Sequence, residues 1–352
     1  MRLVITGGAG FIGSAVVELA ATRGHPVLNI DALTYAANPD TLSTLASLPN
    51  YTFLQAEIGD SPTITKALDQ FAPDTIIHLA AESHVDRSID GPSPFIDTNI
   101  VGTFRLLEAT RAHAASRRAS EVRFLHVSTD EVFGSLGPTG SFDETSPYRP
   151  NSPYSASKAA SDMLVRAWGE TYGLAVLISN CSNNYGPRQY PEKLIPTVIE
   201  AARQGRPIPI YGQGTQIRDW LHVDDHADAL LRIAADGQPG ETYAVGGRAE
   251  RTNLDLVRTL CAIMDERCPD TDWGRHENLI TFVKDRPGHD QRYAVNTTKI
   301  EQALGWTPKT ALREGLAQTV DWYLGNPGWI DRVRAQGFTG ERLGHADPVG
   351  AV

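Results

Sequence analysis

The sequence predicts an α/β protein built on a doubly wound, Rossmann-type parallel sheet with a smaller C-terminal α/β lobe. Short apolar runs alternate with stretches of helical spacing, a pattern typical of consecutive βαβ units. The first apolar run leads into a glycine-rich turn and then into a helix, as at the start of a dinucleotide-binding sheet. After residue 179 the composition becomes polar and rich in turn residues, which indicates the crossing into a second lobe.

The glycine-rich turn predicts a dinucleotide site. The strand over residues 2–6 is followed by Gly7, Gly10 and Gly13, spaced Gly-x-x-Gly-x-x-Gly, and by an alanine-rich helix. Glycines let the backbone approach a pyrophosphate, and the helix amino end supplies N–H donors. The next strand ends in Asp31, about 20 residues on, where a carboxylate binds a ribose 2′-hydroxyl and repels a 2′-phosphate. We therefore predict NAD rather than NADP, the alternative being a glycine turn without a ligand.

The loops after the next strands supply further candidates. Residues 57–60 follow the third strand. They either border an adenine pocket or form an ordinary turn. Ala80 to Ser83 follows the fourth strand and has the small side chains that a loop close to a cofactor needs. His84, Asp86 and Arg87 line the site or form a solvated charged loop. The strands that follow the first two are predicted at residues 51–56, 75–79, 122–127 and 175–179.

Tyr154 and Lys158 are the first pair of candidate catalytic residues. They are four positions apart, so on a helix they share a face. An ammonium beside a phenol favours the phenolate, which makes this tyrosine a candidate base.

A second set of candidates follows the apolar run at residues 122–127. Thr129, Asp130 and Glu131 are predicted at the carboxyl end of this strand, where ligands of open α/β sheets bind. Together with the tyrosine and lysine they are more than a simple dehydrogenation needs. The alternative is that one carboxylate caps a helix and the other is solvated.

Charge and cysteine content exclude several classes of protein. The 352 residues suffice for one large α/β domain or two lobes. With 32 basic and 42 acidic side chains the formal net charge is −10, so we expect neither nucleic acid nor a membrane surface as a partner. The three cysteines lack metal-ligand spacing, so no metal is predicted, and their odd number favours a reducing, cytoplasmic setting. No apolar run has membrane-spanning length.

The domain boundaries are predicted from composition. Residues 1–179 are expected to form the NAD-binding domain, with residues 219–250 returning to it, and residues 180–218 and 251–330 to form the substrate lobe. Residues 331–352 have little hydrophobic pattern and are predicted to be a loosely attached tail. A net-acidic protein must neutralise a nucleoside diphosphate with local positive charge, for which Arg218 and the turn at residues 285–290 are candidates.

Together, the glycine motif, Asp31 and Tyr154-x-x-x-Lys158 resemble the extended short-chain dehydrogenase/reductase family over about residues 1–325. Three longer segments, at residues 128–132, 180–187 and 285–290, are similar to the dTDP-glucose 4,6-dehydratase family. This resemblance implies a homodimer that holds NAD tightly and converts dTDP-glucose to dTDP-4-keto-6-deoxy-glucose. The sequence departs from the family pattern at Ala32, Glu57 and Phe133, where lysine, aspartate and tyrosine are common.

The resemblance also implies roles in catalysis. Tyr154, assisted by Lys158, takes the proton of the carbon-4 hydroxyl while hydride passes to NAD. The ketone makes the carbon-5 proton removable, Glu131 is the base that takes it, and protonated Asp130 is the acid that helps the carbon-6 hydroxyl leave. Hydride then returns to carbon 6, and Thr129 donates a hydrogen bond to the carbon-4 oxygen. Spacing alone permits the reverse assignment of acid and base.

Binding residues follow from the motifs and the resemblance together. The predicted NAD-binding residues are Gly7, Gly10, Phe11, Ile12, Gly13, Asp31, Ala32, Leu33, Thr34, Glu57, Ile58, Leu79, Ala80, Ala81, Ser83, Thr98, Ser128, Tyr154, Lys158 and Asn184. The predicted nucleotide-sugar-binding residues are Ser83, Thr129, Asp130, Glu131, Asn183, Lys193, Leu194, Pro209, Ile210, Tyr211, Arg218, Asn253, Asp285, Arg286, Pro287, Gly288 and His289.

Two other functions are compatible with parts of this pattern. An NAD-dependent 4-epimerase, or a dehydratase of another nucleotide-sugar, shares the cofactor site and the tyrosine–lysine pair, but an epimerase has no use for Asp130 and Glu131. A catalytically silent NAD sensor is a third hypothesis, which loss of Tyr154 or Lys158 would favour, and both are present. Thymine and uracil differ by a methyl, which a pocket discriminates by only about 1–3 kcal/mol, so the sequence leaves base selectivity open.

Overall fold

The computed structural model describes residues 1–37, 39–117, 122–269, 272–285 and 289–335. The described strands are β1 (Leu3–Thr6), β2 (Val27–Asp31), β3 (Tyr51–Gln55), β4 (Thr75–His78), β5 (Arg123–Thr129), β6 (Ala175–Cys181), β7 (Asn183–Tyr185), β8 (Ile208–Tyr211), β9 (Ile217–His222), β10 (Thr242–Val245), β11 (Glu250–Thr252) and β12 (Ile280–Val283). Seven of them form one sheet in the order β10-β6-β5-β4-β1-β2-β3, with every neighbouring pair parallel. The predicted doubly wound, Rossmann-type sheet is confirmed.

Helices connect these strands. They are α1 (Phe11–Thr22), α2 (Ser61–Phe71), α3 (Val85–Asp90), α4 (Ser93–Phe95), α5 (Thr103–Ser116), α6 (Pro153–Tyr172), α7 (Leu194–Arg203), α8 (Val223–Asp236), α9 (Asn253–Arg267), α10 (Thr298–Leu304), α11 (Leu312–Gly325) and α12 (Pro327–Ala335). A π-helical segment, Ile96–Gly102, joins α4 to α5. Short 3₁₀ helices lie at Pro39–Leu45, Asp130–Phe133 and His276–Leu279.

The main sheet is covered on both faces, which explains why strands such as β1, β4 and β6 are buried along their whole length, whereas the edge strand β3 is partly exposed. On one face, Val16 and Val17 of α1 and Ile233 of α8 pack in one core cluster with sheet residues. On the other face, Ile64 of α2 and Leu107 of α5 pack in a second cluster with the sheet. The strand order reverses between β1 and β4, and such a switch point opens a crevice at the carboxyl ends of the strands.

The two small sheets lie apart from the main one. One has the order β11-β9-β7 and the other pairs β12 with β8. A separate core cluster joins α7, α9 and α11 through residues such as Ile199, Leu260 and Val320. The chain returns to the main sheet at α8 and β10, whereas β9 belongs to a small sheet. The predicted lobe boundaries stay a prediction, and the predicted tail lies outside the described residues after residue 335.

The described residues contain neither a membrane-spanning helix nor a cluster of metal ligands. Within the described ranges, no helix has the length and apolarity needed to cross a membrane. The same part of the chain contains no group of three or more histidine, cysteine, aspartate or glutamate residues arranged to hold a metal ion.

Candidate active site

The glycine turn after β1 is packed so tightly that side chains cannot enter it. Gly7 has a φ of +75°, and a Cβ on it would lie 2.7 Å from the Ala80 backbone nitrogen. A Cβ on Gly13 would lie 2.0 Å from the Gly7 carbonyl oxygen. Gly10 is the N-cap of α1 and makes no side-chain cap, so no cap side chain covers the N–H groups of the first turn. These features fit the pyrophosphate of a dinucleotide.

Asp31 ends β2 beside this turn, and its carboxylate is held by the backbone. Oδ2 accepts from the Ala9 N–H at 2.9 Å, and Oδ1 accepts from the Leu33 N–H at 2.8 Å. Burial raises the pKa of Asp31, while the two backbone donors oppose this shift. Because a carboxylate has about four acceptor positions, it can still bind ribose hydroxyls. The predicted cofactor residue Leu33 therefore contributes its backbone, which supports Asp31.

A cavity of about 580 Å³ connects the glycine turn with the candidate catalytic residues. It follows the carboxyl ends of β1, β2, β4, β5 and β6, the place where open α/β sheets bind ligands. The predicted residues that line it are Gly7, Gly10, Phe11, Ile12, Gly13, Asp31, Ala32, Thr34, Glu57, Ile58, Leu79, Ala80, Ala81, Ser83, Thr98, Ser128, Thr129, Asp130, Glu131, Tyr154, Lys158, Asn183, Asn184 and Lys193.

A buried asparagine of the π-helical segment ties the loop after β4 to α6. Asn99 accepts from the Glu82 N–H at 2.9 Å and donates to the Glu82 carbonyl at 2.9 Å and to the Ser157 hydroxyl at 2.8 Å. Its neighbours Asp97 and Thr98 line the cavity. π-Helical turns often occur at functional sites, and here the turn places an amide between two walls of the cavity.

Tyr154 and Lys158 lie on the first two turns of α6, both buried. The ammonium of Lys158 donates to the Val127 carbonyl at 2.8 Å and lies 3.4 Å from Nε2 of His126. Burial lowers the pKa of Lys158 to about 8. Burial also raises the pKa of Tyr154 well above its ordinary value, and the charge of Glu131 raises it further. The described structure therefore holds a neutral phenol, and forming the phenolate requires positive charge next to it.

The two adjacent carboxyls lie in different environments. Asp130 is 1% exposed and starts a 3₁₀ turn capped by Thr129, whereas Glu131 is half-buried. Burial raises the pKa of Asp130 well above its ordinary range, and the charges of Glu131 and Asp219 add to this shift. A raised pKa makes a carboxyl hold its proton more tightly, which suits the role of an acid. This asymmetry favours Asp130 as the acid, a choice that spacing alone left open.

The remaining predicted substrate residues that the structure describes do not line this cavity. Arg218 donates to the Ile217 and Asp290 carbonyls, and its guanidinium lies 4.3 Å from the centre of the Tyr293 ring. Pro209, Ile210 and Tyr211 are on β8, Leu194 and Asn253 begin α7 and α9, and Asp285 accepts from His289 at 2.6 Å. The predicted Arg286, Pro287 and Gly288 lie outside the described residues.

One contact joins this second group to the cavity side. Oδ2 of Asp86, in α3, lies 3.5 Å from the Tyr211 hydroxyl of β8. The ring of Tyr211 in turn lies 6.1 Å, edge to face, from the ring of His289. Tyr211 and His289 are thus connected to the segment that follows β4. Ser83, in the same segment, lines the cavity.

Several residues of the cavity wall were not among the predicted binding residues. Arg87 donates through Nε and Nη2 to Glu192 at 3.2 Å, and its guanidinium lies 3.9 Å from the centre of the Tyr35 ring. Tyr35, Tyr190 and Glu192 line the cavity. Arg87 itself does not line the cavity, but its contacts with Tyr35 and Glu192 place it at the rim, so both expectations for this loop stay predictions. For Tyr35, its position shortly after Asp31 was the one sequence signal that could have predicted a place in the cavity wall. Arg87 and Glu192 are far apart in the sequence, so no local pattern connects them.

The fold and the cavity define a Rossmann-type, dinucleotide-binding enzyme of the short-chain dehydrogenase/reductase class. A family model described as GDP-mannose 4,6 dehydratase matches residues 4–319. The chain belongs to this family of nucleotide-sugar dehydratases.

Individual relatives agree with this family. The dTDP-glucose 4,6-dehydratase of Xanthomonas campestris pv. campestris (strain B100) is 53% identical over 344 residues, which cover 97% of this chain and 98% of that protein. The dTDP-glucose 4,6-dehydratase of Streptomyces venezuelae, crystallised with NAD and a dTDP ligand, is 43% identical with a TM-score of 0.87, covering 95% of this chain and 100% of that chain. The UDP-glucose 4-epimerase of Thermotoga maritima is 28% identical with a TM-score of 0.82, covering 93% and 100%. The predicted dehydratase family is confirmed, and the epimerase alternative is not favoured.

Proposed function

We propose that this protein is a dTDP-glucose 4,6-dehydratase, a hydro-lyase that uses NAD and releases dTDP-4-keto-6-deoxy-glucose. The observation that carries this proposal is the pair of carboxyls beside the buried tyrosine. Asp130 and Glu131 line the same cavity as Tyr154, and burial raises the pKa of Asp130 well above its ordinary range, which favours this carboxyl as the acid. An acid and a base next to an oxidation site are what an elimination of water needs, and an epimerase has no use for them.

The residues that would hold NAD are the glycine turn and the carboxylate at the end of β2. The space around Gly7 and Gly13 excludes side chains, which suits a pyrophosphate, and the Asp31 carboxylate faces the ribose position. Glu57 and Ile58 border the adenine end of the cavity. NAD held by these residues would supply a hydride acceptor for carbon 4 and a hydride donor for carbon 6 without net consumption, and its positive charge would favour the phenolate of Tyr154.

The protein's own side chains accept and donate the protons. Tyr154 takes the proton of the carbon-4 hydroxyl, and the Thr129 hydroxyl, which lines the cavity, turns its donor from Asp130 to the carbon-4 oxygen as that oxygen gains charge. Glu131 then removes the carbon-5 proton, which the ketone has made acidic. Asp130 gives its proton to the carbon-6 hydroxyl, so that oxygen leaves as water. A proton finally returns to carbon 5.

The substrate's diphosphate and base are proposed to lie toward the second lobe. Lys193 lines the cavity, and its ammonium lies 3.4 Å from the Ser83 carbonyl, at the junction of the two sets of predicted residues. Asn183 lines the same end of the cavity. Arg218 supplies a buried positive charge on β9, next to the cluster around Asp285 and His289. Local positive charge is required because the chain as a whole is acidic.

A homodimer and a cytoplasmic location are further parts of this proposal. Phe104 of α5 and Met163 and Tyr172 of α6 are 41%, 49% and 53% exposed, and these large apolar side chains support an interface along the two helices. Light scattering on the purified protein tests the dimer. The odd number of cysteines, with Cys181 and Cys261 buried as free thiols, supports a reducing compartment.

Product mass tests the proposed activity directly. The purified protein is incubated with dTDP-glucose while nicotinamide absorbance is followed. We expect the sugar nucleotide to lose the mass of one water without net formation of NADH. An unchanged mass with a new sugar isomer would indicate an epimerase, and no reaction with dTDP-, UDP- or GDP-glucose would indicate a silent NAD-binding protein.

A further inference from the structure

A buried carboxylate lies one helical turn after Lys158. Asp162 of α6 is 0% exposed, and its Oδ2 accepts hydrogen bonds from the Ser128 hydroxyl at 2.8 Å, the Tyr148 hydroxyl at 2.9 Å and the Asn180 amide at 3.3 Å. These donors come from β5, from the loop before α6 and from β6, so they fix the carboxylate from several sides. A buried carboxylate held by several donors remains charged only where the surroundings compensate its charge.

The imidazole of His126 lies between this carboxylate and the catalytic lysine. Its Nε2 is 3.1 Å from Oδ1 of Asp162 and 3.4 Å from Nζ of Lys158. The ring packs against that of His78, with the ring centres 5.2 Å apart. Nδ1 of His78 contacts the Thr6 hydroxyl at 2.8 Å and Nε2 contacts Thr103 at 3.0 Å, so the packing partner is itself held in place.

We propose that Asp162 and His126 are positioning residues of the dehydration: the Asp162 carboxylate and the Val127 carbonyl hold the Lys158 ammonium on the face of α6 that carries Tyr154, and the His126 ring fills the space between the carboxylate and the ammonium. The proposal rests on the proposed function for its effect on rate. Its geometric part, the hold on Lys158, does not depend on the substrate.

The charge of Asp162 is the second part of the argument. Lys158 is 4% exposed, and an ammonium removed from water loses stability unless a negative charge lies near it. Burial lowers the pKa of Lys158 to about 8, and Asp162 opposes that shift. Burial also lowers the pKa of His126 to about 4, so this ring is neutral at pH 7 and cannot replace the carboxylate as a charge.

Other titratable groups also face this lysine. His78 of β4 is neutral because burial lowers its pKa well below the ordinary value. Cys181 of β6 also interacts with the ammonium, and burial raises the pKa of this thiol to about 12, so it is uncharged at neutral pH. Tyr148 donates to Asp162, and burial raises its pKa above the ordinary value, so it is also neutral. Asp162 is therefore the negative charge that supports Lys158 in the layer beneath the cavity.

The test compares the NAD-loaded wild type with Asp162→Asn, His126→Leu and His126→Gln. Removing the carboxylate charge makes Lys158 lose its proton at lower pH. We expect the alkaline limb of the pH profile of kcat to move down by about one pH unit or more in Asp162→Asn, so the loss of rate is larger at pH 8 than at pH 6.5. His126→Leu should lower kcat with little change in KM, and His126→Gln, which keeps a polar group near the same position, should recover part of the loss.

A direct titration and a matched control separate positioning from folding. Isotope-labelled lysine NMR, with Lys158→Met assigning the resonance, reports the pKa of Lys158 without turnover, so it decides the geometric part even if dTDP-glucose is not the substrate. Asp265→Asn removes the carboxylate of a similar pair, in which Asp265 lies 2.6 Å from His276, away from the cavity. We expect that control to leave the pH profile and the Lys158 titration unchanged. An unshifted Lys158 titration in Asp162→Asn, with equal rate loss at every pH, would overturn the proposal.

Discussion

The Thr129 hydroxyl lies 3.3 Å from Oδ1 of Asp130 and donates to it, while the other oxygen, Oδ2, is buried without a hydrogen-bond partner among the described residues. The same hydroxyl accepts from the Glu131 N–H at 3.2 Å. Thr129 therefore contacts the Asp130 carboxyl and the Glu131 backbone, and it leaves Oδ2 of Asp130 as the oxygen that can carry a proton.

Substitution of the two carboxyls should separate oxidation from water loss. Asp130→Asn and Glu131→Gln keep the size of each side chain but remove the acid or the base, so we expect dehydration to fall about 10²–10⁴-fold. Bound NAD should still be partly reduced in both variants, whereas Tyr154→Phe should prevent reduction. Single-turnover nicotinamide absorbance measures the first step and product mass the second. Unimpaired dehydration in either carboxyl variant would remove that residue from the mechanism.

The stability of the protein should also show the environment of Asp130. Its pKa is raised in the folded state, so the native protein binds this proton more tightly than the unfolded chain, which releases it above the ordinary aspartate pKa of 3.8. Stability associated with this proton is present below pH 3.8 and is lost as pH rises toward the folded pKa. Asp130→Asn has no such proton to lose. We therefore expect its unfolding free energy, relative to that of the wild type, to increase with pH by up to about 1.4 kcal/mol per pH unit across that window.

Denaturant unfolding of wild type and Asp130→Asn between pH 5 and pH 8 measures this difference. Asp236→Asn, at the exposed end of α8, is the matched control and should show no pH-dependent gain. A constant difference between wild type and Asp130→Asn over this range would mean that Asp130 is ionised in the native state.

Asp31 should determine cofactor choice. The substitution Asp31→Asn removes the negative charge that repels a 2′-phosphate. It also weakens the hydrogen bonds to the ribose hydroxyls, because a neutral amide oxygen accepts more weakly than a carboxylate. We expect NAD affinity to fall about 10–100-fold, which corresponds to about 1.5–3 kcal/mol for a hydrogen bond to a charged group, and NADP binding to improve relative to NAD. Calorimetric titration of the cofactor-free protein with both dinucleotides checks this. Unaltered selectivity would place the discrimination elsewhere.

The glycine turn should tolerate no methyl group at Gly13. A Cβ there would lie 2.0 Å from the Gly7 carbonyl oxygen, which is fixed backbone, so Gly13→Ala must displace the turn. We expect the purified variant to contain little NAD and to unfold at lower temperature. Gly325→Ala is the control, since a Cβ at the end of α11 meets nothing within 4 Å. Equal NAD content in the two variants would show that the close approach at Gly13 does not matter for binding.

The rim of the cavity should control how fast NAD leaves. Arg87 connects the loop after β4 to Glu192 and packs on Tyr35, so it links segments on both sides of the cavity. We expect Arg87→Met, which retains an apolar stem, to raise the rate of NAD release about tenfold. Release is followed by transfer of NAD to an excess of a coupled dehydrogenase. Arg258→Met removes an exposed pair with Glu277 and should have no effect, and equal rates in the two variants would contradict the expected role of the rim.

Local patterns were sufficient for much of the fold and part of the site. The strand, glycine turn and helix around Gly7, the carboxylate Asp31 and the spacing of Tyr154 and Lys158 all depend on neighbours within a few residues or on one βα unit. The observed β1, β2 and α6 place these residues on one cavity, as expected for the carboxyl ends of parallel strands. Apolar runs also predicted six of the seven strands of the main sheet, because strands buried on both faces are continuously apolar.

The sequence by itself determined the alternation of strands and helices along the chain, the type of cofactor turn and the identity of the two candidate carboxyls and the tyrosine. Tertiary structure alone decided which carboxyl is buried and has the raised pKa, because a pKa depends on burial and on charges such as Glu131 and Asp219 that the fold brings near Asp130. It also decided that Lys158 donates to the Val127 carbonyl and faces His126, and that Arg87 meets Glu192, 105 residues away. Such contacts join distant segments, and no local pattern records them.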